Sequence, residues 1–206
     1  KELEVSKKVQ DNLSESIPLR LISFEEEVLL IIKHFNFITL KPIIYLANVS
    51  EVEIVNKENI YIEKLRECVK KENGEVIIMC AKLESELAEL NEDEKKEFLQ
   101  ELNINESGLD KLIKTTYKLL GLETFFTVGS DECRAWTFNK GMKAPECAGI
   151  IHTDFERGFI RAEVMAYDDL IKYENETKVK EAGKLRIEGK DYLMQDGDIC
   201  HFRFNV

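Results

Sequence analysis

No run of about 18 consecutive apolar residues occurs in the sequence, so no segment reads as a membrane-spanning helix. The five cysteines are odd in number, and none are spaced Cys-x-x-Cys. This argues against a disulfide framework or a zinc knuckle and points to reduced thiols in the cytoplasm. Basic charge is not in excess either. The net charge is −11, with 12 Lys+Arg against 16 Asp+Glu after residue 121 and a balance of −7 before it. A general nucleic-acid binder would carry the opposite sign. There is no Gly-x-x-x-x-Gly-Lys-Ser/Thr loop to hold phosphates and no obvious Mg²⁺-binding loop. The charged opening at Lys1 resembles neither a signal peptide nor a natural start, so the chain is expected to be a fragment.

What is present describes a globular protein: 206 residues, 44% hydrophobic and 33% charged, enough for one large or two modest domains. Residues 1–12 are polar with sparse Leu3, Val5 and Val9, as in one arm of a helical hairpin, which Pro18 ends. Ser23-Phe24-Glu25-Glu26 has capping-box spacing and predicts a helix with Val28, Leu29, Ile32 and Phe35 on one face. His34 on that helix has no partner at metal spacing and reads as a surface histidine. The apolar run Ile43-Ile44-Tyr45-Leu46-Ala47 predicts a strand of a parallel sheet buried on both faces. A helix over 59–71 follows, with Ile62, Leu65 and Val69 on one side and Asn73-Gly74 closing it. A second strand over 76–79 completes a βαβ unit, whose ligands bind at the C-terminal strand ends. Asn91 and Glu94 predict a further capping box, and the acidic run between them a solvated first turn. Ser107 opens a helix whose Leu109, Leu112, Ile113, Thr116 and Leu120 face one way, and Gly121 stops it. The domain boundary is placed at Gly121-Leu122.

Beyond it, strands over 124–128 and 133–138 predict a hairpin around Gly129-Ser130-Asp131. Pro145 suits the first turn of a short helix, and Gly149 a close backbone approach. A buried strand over 159–165, a polar helical link over 167–182 and a final hairpin over 186–204 complete the chain. Cys80 reads as core, whereas Cys133 and Cys147 flank the central motif with no visible activating group. His152, Thr153 and Asp154 have no accompanying nucleophile. Thr153 and Asp154 therefore read as satisfying turn amides and His152 as ending the short helix. Trp136 and the pair Phe125 and Phe126 read as core. Arg134, Lys140, Lys143, Arg157 and Arg161 cluster in sequence around the motif and could form a local basic face; a solvated mixed-charge surface is the alternative.

The stretch Ala148-Gly149-Ile150-Ile151-His152-Thr153-Asp154-Phe155-Glu156-Arg157-Gly158-Phe159-Ile160-Arg161-Ala162-Glu163-Val164 resembles the signature of a TGS domain, a ubiquitin-like β-grasp module. With Phe125-Phe126-Thr127 and Arg134-Ala135-Trp136-Thr137 before it and Asp196-Gly197-Asp198 after it, the segment is similar to the YchF/Obg-like ATPase family. Upstream, Asn48-Val49-Ser50-Glu51 ends the first strand where GTPases carry Asn-Lys-x-Asp. In that motif the Asp accepts from guanine N1–H and its exocyclic amine. Here Glu takes the Asp place and Val the Lys place, and adenine offers an acceptor at N1, so the need for a short fixed carboxylate disappears. Cys80-Ala81-Lys82-Leu83-Glu84 resembles the Ser-Ala-Lys-type loop on the other side of the base.

The resemblance implies an α/β fold in three parts. Residues 1–40 would be the end of a helical (coiled-coil) insertion, 41–121 the C-terminal part of a P-loop G domain, and 122–206 a TGS domain. Asn48, Val49 (through its backbone), Glu51, Cys80 and Ala81 would contact the base. The parent would bind and hydrolyse ATP in preference to GTP, with Mg²⁺ held by ligands outside this chain. Its TGS domain would dock on RNA or the ribosome through Arg134, Lys140, Lys143, Arg157 and Arg161. This chain alone, without the phosphate loop, would not hydrolyse ATP. Two alternatives stand beside that reading: a non-enzymatic TGS module that recruits RNA or protein, and a GTP-binding relative.

Overall fold

A computed structural model of the protein describes residues 2–56, 59–72, 74–129 and 132–205. The chain divides into two compact units, Lys1–Thr116 and Tyr117–Val206.

In the first unit, α1 (Glu2–Ser14) and α2 (Glu26–Lys33) pack through Val5, Val9, Leu19 and Ile32. The expected capping box at Ser23 does not form. Helix α2 begins only at Glu26, Glu25 is its N-cap without a side-chain bond, and the Glu25 carbonyl accepts from Val28 and Leu29. Residues 23–25 lie outside the helix, Glu25 in an extended conformation, and Phe24 packs against the α1–α2 cluster. Phe35 lies beyond the end of α2, exposed and stacked on Phe37 with ring centroids 5.7 Å apart, and so does not join the buried face.

Strand β1 (Ile44–Asn48) pairs in parallel with β2 (Glu75–Met79), with Asn48 opposite Met79. Between them run α3 (Glu51–Asn56) and α4 (Ile60–Lys70), the latter burying Ile62 and Val69 and capped by the Asn59 side chain. Asn73 falls outside the described residues, but the N–H of Gly74 returns to the Val69 carbonyl as a C-terminal cap should. Arg20 and Tyr45 both donate to Glu72 Oε2, at 2.9 Å each, fixing the helical segment to β1 and to the end of α4. The expectation that β1 is covered on both faces fails: Leu46 is 47% exposed, and among the described residues the sheet holds two strands. A strand needs packed layers on both faces to bury both, and this chain supplies too few.

Helices α5 (Ala81–Leu87) and α6 (Glu92–Glu101) follow, the second opened by the anticipated capping box of Asn91 and Glu94. Helix α7 (Gly108–Leu120) starts as expected at Ser107, whose hydroxyl exchanges hydrogen bonds with Asp110. Its apolar face is not the buried one. Leu109, Ile113 and Leu120 are about half exposed, while Thr115 is buried.

The second unit is built on a mixed sheet. Strands β3 (Leu122–Val128) and β4 (Cys133–Asn139) form the antiparallel pair expected of 124–138; its turn residues Ser130 and Asp131 fall outside the described residues. Helices α8 (Ala144–Ile151) and α9 (Thr153–Arg157) precede β5 (Phe159–Ala166). Then come α10 (Tyr167–Tyr173), α11 (Glu176–Glu181), β6 (Arg186–Glu188) and β7 (Asp198–Phe204). The strand order is β4-β3-β7-β5-β6. The expected final hairpin is therefore absent. Strand β6 pairs with β5 at the sheet edge, while β7 enters between β3 and β5, parallel to β3. Nine residues separate β6 from β7, enough to carry the chain across β5 into the apolar slot that Ile199 and Cys200 fill. Against one sheet face, α8 buries Ala144, Cys147 and Ala148 on Phe125, Phe138, Phe159 and Val164. Burial pushes the Cys147 thiol up to about 12, which leaves no reactive thiolate near neutral pH.

Gly149 faces only the Glu156 side chain, whereas Gly158 is the glycine that the backbone requires. A Cβ at Gly158 would collide with the carbonyl of Asn205, and the Asn205 N–H donates to the Gly158 carbonyl at 2.9 Å. Gly158→Ala should therefore destabilise the second unit by about 1–3 kcal/mol, because the obstacle is backbone rather than a movable side chain. Thermal unfolding of the variant tests this; an unchanged Tm would show that the β7 end relaxes freely.

Candidate functional site

The C-terminal ends of β1 and β2 bring two loops together. The ladder continues one step past the strands, the Val49 N–H donating to the Met79 carbonyl at 2.9 Å. Beyond it a side chain takes over: Asn48 Oδ1 accepts from the Ala81 N–H at 3.0 Å. Three of the five residues expected to meet a base, Asn48, Val49 and Ala81, thus share one corner. Glu51 stands in the first turn of α3 and is held by Lys82 of α5, with Oε1 and Nζ 2.8 Å apart. Cys80 is core as expected, its side chain buried among Leu83, Leu87 and Leu99, so only its backbone can border a ligand.

The sequence reading gave no role to the residues that brace this corner. Ser50 and Glu53 form a cap at the start of α3: the Ser50 N–H donates to Glu53 Oε2 at 3.0 Å and its hydroxyl donates at 2.7 Å. The other carboxylate oxygen of Glu53 accepts from Asn59 Nδ2 at 2.7 Å, joining the starts of α3 and α4. The Ser-x-x-Glu spacing was a legible signal for this cap. The Ser50 donors, first the backbone and then the hydroxyl, hold the Glu53 carboxyl below its ordinary value of 4.5. On the other side, Glu84 accepts from the backbone N–H groups of Gly108 and Leu109, at 2.7 and 3.2 Å. Gly108 fits there because it carries no Cβ; one would lie 2.5 Å from the Cβ of Met79. A cavity of about 260 Å³ opens beside Asn48, Val49, Glu53 and Tyr61.

The five basic residues expected to form a docking surface do not share a face. Arg134 alternates with Trp136 and Phe138 on the α8 side of the sheet, its guanidinium 4.2 Å from the Trp136 ring centre. Arg161 lies on the opposite side, in step with Glu163 and Met165, and pairs with Glu163 at 3.5 Å. Lys140 is paired with Glu123 at 3.0 Å and Lys143 with Asp191 at 2.7 Å. Arg157 is exposed at the end of α9. Strand alternation separates Arg134 from Arg161, so closeness in sequence did not make a patch. The expected capping by Thr153 and Asp154 is supplied instead by His152, whose Nδ1 accepts from the Asp154 N–H at 3.2 Å. Trp136 is half-buried against the core, and its indole N–H donates to Thr127.

Residues 122–205 match the family model YchF-GTPase_C, described as a protein of unknown function (DUF933). Over 206 residues the chain is 56% identical to the "Ribosome-binding ATPase YchF" of Bacillus subtilis (strain 168), covering 100% of this chain and 56% of that protein. The protein of the same name from Escherichia coli O157:H7 is 46% identical over 205 residues, with the same coverage. The chain belongs to the YchF family. It spans a little over half the length of the curated relatives it matches. The structure of the Schizosaccharomyces pombe YchF GTPase superposes on it with a TM-score of 0.85 at 38% identity, covering 97% of this chain and 53% of that one. A GTP binding protein from Pyrococcus horikoshii OT3, at 18% identity and a TM-score of 0.59, shares the fold; the match covers 99% of this chain and 56% of that one. The mixed α/β architecture, with one parallel and one mixed sheet, is that of YchF structures. Among the described residues, no helix is long and apolar enough to cross a membrane, and no group of three or more His, Cys, Asp or Glu is placed to hold a metal ion.

Two outcomes are expected of this corner. Asn48→Ala removes the acceptor for the Ala81 N–H, so amide exchange at Ala81 should accelerate about tenfold, the equivalent of roughly 1.4 kcal/mol; an unchanged rate would show that the loop is held by other means. Acid should also loosen the start of α3. Because the folded carboxyl of Glu53 titrates below its unfolded value, its contribution is complete above pH 4.5 and is lost as pH falls through the lowered folded value. The Ser50 amide resonance, followed downward from pH 4.5, should report that loss, and a titration midpoint at or above 4.5 would contradict it.

Proposed function

We propose that this chain is the base-selecting part of an ATP-hydrolysing YchF protein, joined to a β-grasp TGS module that docks on the ribosome or its RNA. The observation that carries the first half is the bond from Ala81 N–H to Asn48 Oδ1, which ties two loops at the C-terminal ends of parallel strands, where α/β sheets bind their ligands. In this reading residues 1–40 end a helical insertion, 41–121 complete a P-loop G domain and 122–206 form the TGS domain. A purine would sit between the two loops, touching Asn48, the Val49 backbone, Glu51 and the backbone at Cys80 and Ala81. With its Oδ1 engaged, Asn48 offers its amide nitrogen to an acceptor on the base. Phosphate chemistry and Mg²⁺ would be supplied by the part of the protein outside this chain, and no step is assigned to a metal here.

Support for the TGS assignment comes from the strand order, in which a central C-terminal strand runs parallel to the first strand and one principal helix packs on one sheet face. The names of the bacterial relatives supply the ribosome as the partner class, since they are called ribosome-binding ATPases. Docking would use separate basic points, Arg134 and Arg157 foremost, because Lys140, Lys143 and Arg161 are engaged with carboxylates.

The fission-yeast relative is named a GTPase, so a GTP-binding reading has an observation behind it. Calorimetry separates the two. The full-length protein should prefer ATP to GTP by at least about tenfold, roughly 1.4 kcal/mol, and this chain alone should release no phosphate from ATP. A GTP preference of that size would replace the ATP reading, and an absence of nucleotide binding would leave only the docking role.

A further inference from the structure

We infer that Lys82 is a specificity-determining residue, which engages the Glu51 carboxylate at the edge of the base site in an ion pair and so denies it to the N–H donors of guanine. This rests on the base-site reading above and deepens it. Guanine presents an acceptor at O6 and donors at N1–H and the exocyclic amine, so a site that selects it must offer a free N–H and a free carboxylate. This corner contains both groups, and both are already engaged. The Ala81 N–H is given to Asn48 Oδ1 at 3.0 Å, and Glu51 Oε1 lies 2.8 Å from Lys82 Nζ.

The pair differs in kind from the other exposed ion pairs nearby. Arg66 with Glu63, and Lys82 with Glu86 at 3.7 Å, join neighbouring turns of a single helix. Lys82 with Glu51 instead crosses from α5 to α3, between the two loops that would flank the base. The lysine amine is held above its ordinary value, first by its hydrogen bond to Glu51 and then by the charges of Glu51 and Glu86. An exposed pair adds little to stability, so its removal should leave the fold intact. Its consequence is for recognition. A guanine edge would have to compete with an ammonium for the same carboxylate oxygen, whereas adenine has no N1–H and makes no such demand.

The test is a titration of this chain with adenosine and with guanosine, followed through the amide resonances of Val49 and Ala81. In the unsubstituted protein, adenosine should shift both resonances and guanosine should do so at least about tenfold more weakly. In Lys82→Met that ratio should fall about tenfold in favour of guanosine, because the carboxylate is released. Lys82→Arg, which keeps the pair, should restore the original ratio, and Glu86→Gln should not change it. If adenosine still shifts the loop but the ratio is the same in Lys82→Met, the role of Lys82 is overturned and the base-site reading stands. If neither nucleoside shifts either loop in any variant, the base-site reading fails, and this inference fails with it.

Discussion

A parallel ladder of two five-residue strands fixes its own rungs but does little for the loops that leave its ends. In this protein the backbone adds one more bond, from Val49 to Met79, and among the described residues the ladder goes no further. The Asn48 carboxamide continues the constraint by accepting from the Ala81 N–H. Few side chains could replace it. An aspartate would accept equally well but would bring a charge and lose the donor, and an apolar residue would leave the amide to solvent. From this point the order spreads outward through helix starts. Ser50 and Glu53 fix α3, Asn59 fixes α4 through the same glutamate, and Glu84 fixes α7 against Met79. The candidate site is therefore a set of helix N-termini arranged around two strand ends, with a side-chain bond at its centre.

The second unit solves a different problem, that of inserting its last strand into the middle of a sheet. Asp196 accepts from the Thr124 N–H at 2.8 Å, and Gly197, at φ +80°, donates to the Thr124 carbonyl at 2.8 Å, so the turn is locked onto the start of β3. Next to it Asp198 is 2% exposed and accepts from Arg186, the Tyr192 hydroxyl and the Gln195 N–H. A buried carboxylate is costly unless its lone pairs are met, and here three donors from β6 and the following loop meet them. Burial, and then the bond to Asp198, raise the Tyr192 hydroxyl well above its usual range, so it remains a donor. The cluster ties the edge strand, the crossing loop and the central strand to one another.

What could be read from sequence was largely local. The Asn91 capping box, the helix after Ser107, the β1 and β2 runs and the short helix opened by Pro145 each depend on a few adjacent residues, and each formed. The misreadings came where distant packing decides. Phe24 packs against the α1–α2 cluster where a box at Ser23 was expected, and the apolar stripe of α7 is not the face that this chain buries. The place of β7 depends on a crossing that no local periodicity records. At the candidate site the motif residues were legible, but their partners were not. No spacing rule links Glu51 to Lys82 or Glu84 to Gly108, because each pair is joined only when β1 and β2 come into register.

That difference bears on how a site can change its preferred base. Rejecting guanine does not require the loss of every group that reads it; it is enough that the reading groups are satisfied within the protein. Breaking a satisfied pair to admit a ligand costs the internal interaction, small for an exposed pair, and adds to it the desolvation of the group that the ligand covers. A carboxylate longer by one methylene than the aspartate of a guanine site can reach across to an ammonium on the neighbouring helix, which Glu51 does at 2.8 Å. The same short segment, Cys80-Ala81-Lys82, supplies both satisfied partners, the amide engaged by Asn48 and the ammonium that engages Glu51. Discrimination on this view belongs to the pairing between two loops, and it follows from the register of the strands that carry them.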